Sequence, residues 1–175
     1  DHSLTLRGTP PAQAVFASTA DRARNVRAPL FPPEVRLWAY GLQTRRVMQE
    51  ALPELDAVLI YQTGLARVAG LERIPFLPGA LADHLTSAGG QLERTDGPQM
   101  SALDWIEAGA TASHGAVSEP CNHLQKFPHP QLLLLNYLQG ASALEAYWRS
   151  VLWPGQSVFV GEPLAAPYAR EPLNP

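Results

Sequence analysis

The chain has 175 residues, 46% of them hydrophobic, with 13 basic and 16 acidic side chains and a net charge of -3. That suffices for one domain with a substantial core and falls short of a second complete one. A nucleic-acid footprint is excluded, because Lys126 is the sole lysine and the arginines are scattered. So is a membrane-spanning helix, because apolar runs such as Leu132 to Leu135 are far too short.

Taken in order, residues 1 to 33 read as an irregular N-terminal segment. Chain entry at Asp1, with neither methionine nor a charged-then-apolar leader, leads us to expect that a leader or a longer N-terminal region has been removed. Ser3 to Arg7 alternates like a short strand until Pro10-Pro11 stops it. Residues 12 to 27 are expected to form a helix, with Arg22, Arg24 and Arg27 near its C-terminal end. Pro29, Pro32 and Pro33 make a stiff connector.

A single α/β domain is then expected over residues 34 to 168. From Glu34 to Leu52, Val35, Leu37, Trp38, Leu42, Val47, Met48 and Leu52 fall roughly at helical spacing, and Pro53 closes an amphipathic helix. Ala57 to Tyr61 is a continuous apolar run, the pattern of a strand buried on both faces in a parallel sheet. A second strand is expected from Arg73 to Leu77, reaching Pro78-Gly79, followed by a short helix from Ala80 to Ala88 closed by Gly89-Gly90. A helix from about Gln99 to Ala108, capped by Gly109, leads into a third strand from Ala110 to Ser113. Helices at Gln131 to Gln139 and Ala143 to Leu152 follow, then a strand from Ser157 to Val160. Residues 169 to 175 form a proline-punctuated tail.

The third strand's end carries the densest chemistry, because open α/β sheets place their sites at the carboxyl edges of strands. There stand His114-Gly115 and then Ser118-Glu119-Pro120-Cys121-Asn122-His123. Pro120 biases Glu119 toward extended geometry, and in an extended segment Cys121 and His123 are expected to share a face. Cys121, the single cysteine, excludes an internal disulfide framework. With His114 or His123 it makes the minimal nucleophilic unit, a thiolate beside an imidazole, with Glu119 next to it. The same region offers Cys121, His123 and His129 as soft and imidazole ligands suited to zinc or copper, although the spacing fits no standard finger or knuckle. An inert small thiol is the structural alternative. Asp83, His84, Phe127 and Glu162 are binding candidates: Asp83 toward a helix N-terminus, His84 toward the strand-edge cleft, Phe127 in the FPHP phrase, and Glu162 between Gly161 and Pro163 after a strand. A carboxylate that accepts backbone N–H bonds to fasten the last strand explains Glu162 equally well.

The phrases ADHLTSAGG, AGATASHGAVSEPC, FPHP, EAYWRSV and VGEPLA resemble the C-terminal half of an uncharacterised bacterial protein family, found in organisms that carry exosortase-type surface-protein sorting. The resemblance covers roughly residues 54 to 168. That family is in turn remotely similar to caspase-like, gingipain-type peptidases, which implies a caspase-like, three-layer sandwich with a mostly parallel sheet. Such peptidases carry His-Gly after one central strand and Cys after the next, where the imidazole assists thiolate attack on a carbonyl. The corresponding places here are read as Thr63-Gly64 and Leu77-Pro78-Gly79, so the dyad is missing.

Three functions follow as expectations. The first is a non-catalytic binding or assembly module of an envelope or extracellular complex, with the loop from His114 to Pro130 as its contact surface and a periplasmic or extracellular location. The second is a cysteine-type hydrolase using Cys121, and the third a metal-binding protein. Exposed sheet edges lead us to expect a protein partner, either the missing N-terminal half or a homo- or hetero-oligomeric neighbour.

Overall fold

A computed structural model describes residues 11–48, 54–93, 97–118 and 122–169. Its centre is a seven-stranded sheet in the order β2-β3-β1-β4-β5-β6-β7. The strands are β1 (Ala12–Ser18), β2 (Arg36–Leu37), β3 (Leu42–Met48), β4 (Val58–Thr63), β5 (Phe76–His84), β6 (Ala112–Ala116) and β7 (Ser157–Gly161). β3, β1, β4, β5 and β6 run parallel, while β2 and β7 are antiparallel edges. No helix among the described residues is long and apolar enough to cross a membrane. The α/β expectation therefore holds, with a mixed, mostly parallel sheet.

The inner strands are hydrophobic because both their faces are covered. All six residues of β4 are buried, and Val15, Phe16 and Ala17 of β1 are fully so. Helices α2 (Pro130–Leu138) and α3 (Ala143–Trp148) cover one face, where Leu133, Tyr137, Ala146 and Tyr147 meet Phe16, Ile60 and Leu81. Helix α1 (Ala102–Glu107) covers the other, with Trp105 against Tyr61 and Ala82. Ser101 with Asp104 and Ser142 with Glu145 close capping boxes at the starts of α1 and α3. Pro130 opens α2 at a position that needs no N–H.

Three expected helices are strands or turns. Residues 12 to 27 contain β1 and two short 3-10 turns, and β1 lies inside the sheet, so this segment is integral to the domain and not an irregular prelude. Residues 34 to 48 form β2, a 3-10 turn and β3, reversed at Gly41 with φ 55°. Residues 80 to 84 continue β5. The expected strand at Ser3 to Arg7 and the stop at Pro53 lie outside the described residues.

β5 runs straight through the Pro78-Gly79 at which the sequence suggests it ends. Gly79 takes φ 87°, and the register against β4 shifts there. Its N–H donates to Thr111 Oγ1 at 2.8 Å, and its carbonyl accepts from the Tyr137 hydroxyl at 2.6 Å. Side chains thus satisfy the backbone groups that the irregularity frees, and the strand resumes.

Candidate functional site

Because β5 ends at Asp83-His84, the two adjacent central strand ends are Gln62-Thr63 of β4 and Asp83-His84 of β5. This corrects the placement at Leu77-Pro78-Gly79. Strand alternation sends Gln62, Asp83 and, from β6, His114 to the face covered by α2 and α3, where they are neighbours in register. Gln62 Nε2 donates to Asp83 Oδ2 at 2.7 Å. Arg27 Nη1 meets the other carboxylate oxygen at 2.6 Å, an ion pair whose two side chains are 2% and 1% exposed. Arg27 also donates to the carbonyls of Pro128 and Thr63. Burial pushes the Asp83 carboxyl up, and Arg27 and Gln62 pull it back. The donors to Asp83 are thus a guanidinium and a side-chain amide, not a helix N-terminus.

His114 sits inside β6, its ring stacked on Tyr147 at 5.8 Å and edged by Trp148 at 6.2 Å. Both its ring nitrogens, Arg27 Nε and Gln62 Oε1 are buried without a hydrogen-bond partner among the described residues. Burial, reinforced by the Arg27 charge and by His84, pushes the His114 pKa down to about 3. Nothing about this neutral, enclosed imidazole matches an exposed base at a strand end.

His84 points to the opposite face. Its Nδ1 accepts from the Trp105 indole N–H at 2.9 Å, and indole can only donate, so Nε2 carries the hydrogen given to Met100 O at 2.8 Å. Both nitrogens are committed, and burial lowers the pKa to about 4. The expected approach of His84 to the cleft is therefore overturned.

The cleft itself lies between the 124–130 segment, the start of α2 and the end of α3. It holds about 300 Å³ and is walled by Leu30, Leu124, Phe127, Leu132 and Leu152, with Arg27, His129 and Arg149 also in its lining. Phe127 is thus a buried wall residue. His129 caps α2, its Nδ1 accepting a long 3.5 Å bond from the Leu132 N–H. His123 is exposed, with its ring 5.8 Å from Trp153. Glu162 is exposed and fastens the turn after β7 by accepting the Leu164 N–H at 2.9 Å.

Cys121 and Glu119 lie outside the described residues, and with them the nucleophile and the sulfur ligand of the metal set. Among the described residues no group of three or more His, Cys, Asp or Glu could hold a metal ion. The residue that sequence reasoning missed is Arg27. Its signal was local: one arginine flanked by Val26, Ala28, Leu30 and Phe31, a setting in which a charge is buried and needs a distant partner. No family model, no curated protein and no solved structure matches the chain.

Proposed function

We propose that the chain is a non-catalytic binding or assembly module of an envelope or extracellular complex, built on a caspase-like scaffold. One observation carries this reading: the ends of β4 and β5, where caspase-like peptidases hold their imidazole and thiol, are occupied by the Gln62–Asp83–Arg27 network. A carboxylate whose two oxygens are held by an amide and a guanidinium is a structural group, not a base for a nucleophile. Beside it, the described part of the 114–130 loop walls a cleft open to solvent and mainly apolar, which is the character of a recognition surface. The partner is a protein chain, either the N-terminal half that the resemblance implies or a neighbour in an oligomer.

The test pairs cleavage with binding. Incubation with a peptide library, read by mass spectrometry, should give no cleavage, while displayed peptides enriched on the protein should be lost on Leu132→Glu, which puts a charge on the cleft wall. Cleavage that disappears in Cys121→Ser would replace this reading with the cysteine hydrolase. Stoichiometric zinc or copper in natively purified protein, with Cys121 reactive only after chelation, would replace it with the metal-binding protein.

A further inference from the structure

We propose that the cleft beside Arg27 binds the C-terminal residue of a peptide, its apolar side chain between the leucines and its free carboxylate on the arginine side. The inference rests on the binding-module reading and gives that module a ligand class.

Two independent observations support it. The first is the wall: Leu124, Leu132 and Leu152 line one opening and are 39%, 42% and 77% exposed, leaving a grouped apolar surface uncovered around a cavity of about 300 Å³. That volume lies at the small end of ligand pockets, suited to one large side chain and its terminus. The second is an excess of donors. Arg27 is buried and its Nη atoms are committed, but its Nε–H has no acceptor among the described residues. A buried donor in this condition favours any ligand oxygen that reaches it.

The surroundings add positive character. Nδ1 of His129 accepts from the Leu132 N–H, so Nε2 carries its hydrogen and is a donor. The nine-residue helix α2 begins at this wall and directs the positive end of its dipole there. Arg149 lines the mouth, and its ion pair with Glu145 is half-exposed on both sides, so a ligand carboxylate can replace Glu145 at little cost. Among the described residues, no Asp or Glu is part of the lining. Apolar walls with several donors among them fit an apolar group ending in a carboxylate, which guanidinium groups bind in forked geometry.

The experiment is isothermal titration of the full chain with one hexapeptide ending in leucine, as the free acid and as the C-terminal amide, beside N-acetyl-leucine and octanoate. The acid should bind and amidation should weaken it by about tenfold or more, the loss expected for one charge-assisted contact. Arg149→Gln should weaken the acid roughly threefold to tenfold and leave the amide unchanged. Both Arg149 and Leu132 are exposed, so Arg149→Gln and Leu132→Glu test the site without disturbing the Arg27–Asp83 pair. Equal binding of acid and amide would overturn the inference and leave the module reading standing. Octanoate binding as tightly as the peptide would overturn the peptide assignment in favour of a free apolar acid. Absence of any binding would overturn the inference, while the displayed-peptide experiment decides the module reading separately.

Discussion

His84 and His114 lie on neighbouring strands and are both buried, yet their environments are opposite. His84 has a donor on one nitrogen and an acceptor on the other, whereas neither nitrogen of His114 has a partner among the described residues. His84→Phe should therefore lose about 1–3 kcal/mol by stranding the Trp105 indole and the Met100 carbonyl, while His114→Phe should be neutral or gain up to about 1 kcal/mol at neutral pH. Equilibrium urea unfolding measures both. The pH dependence has a definite sign. Both folded-state pKa values lie below the ordinary 6.5, near 4 and near 3, so the stabilising neutral forms are fully present above about 6.5. As pH falls from 6.5 toward 4 the unfolded chain takes up protons that the folded chain refuses, and stability drops by up to ~1.4 kcal/mol per pH unit for each histidine. The raised Asp83 carboxyl acts in the opposite direction, and comparing the wild type with His114→Phe cancels it. A pH profile no flatter in the variant than in the wild type would refute the assignment.

The Arg27–Asp83 pair makes the other prediction at this scale. Arg27→Met leaves a buried carboxylate without its cation and should cost about 3–5 kcal/mol, whereas Arg27→Met with Asp83→Leu should cost less than the single change. A double variant no more stable than the single one would show that the pair's packing, and not its charge, is what the core requires.

At the scale of elements, β5 and β6 depend on glycines for different reasons. Gly79 needs its positive φ, and an added Cβ would press on Pro167 at 3.2 Å and the Tyr137 hydroxyl at 3.3 Å, so Gly79→Ala should cost roughly 1–3 kcal/mol. Gly115 has an ordinary φ, but a Cβ there would overlap the backbone of Gly89 and Gly90, whose turn is pinned by the Gly90 N–H to Ala116 O bond at 2.8 Å. Gly115→Ala should therefore be the more damaging of the two in thermal unfolding, since backbone cannot yield as a side chain can. The same elements show how far the sequence could be read. The apolar run at Ala57 to Tyr61 was legible as a buried strand, and β4 occupies Val58–Thr63. Ala14 to Ala17 is the same kind of run, but with only four residues its signal is also compatible with a helix, and pairing with β3 and β4 decides it. Helical spacing over 34 to 52 was outweighed by the reversal at Gly41, which lets Leu42–Met48 lie along β1.

For the whole molecule, sheet order predicts a gradient of protection. Amides of β1, β4 and β5, flanked by strands on both sides and covered on both faces, should exchange only on global unfolding, while β2 and β7 at the edges should exchange earlier by local opening. Hydrogen exchange at two protein concentrations checks this. Protection of β7 that rises with concentration would report association through that edge, and protection equal to β4 at all concentrations would contradict the gradient.

By itself the sequence determined the α/β class, the later helices and the final strand, because these follow from local periodicity and capping residues. It also placed a buried strand at Ala57 to Tyr61, just ahead of Thr63-Gly64, and β4 ends at Thr63. Only the tertiary structure decided that β1 lies inside the sheet, that β5 continues to His84, that Arg27 reaches Asp83 across 56 positions of chain, and that His84 and His114 face opposite layers. The physical reason is common to all four. Strand register, and the burial of a charge against its partner, are set by contacts between segments far apart in the chain, and no local pattern encodes them.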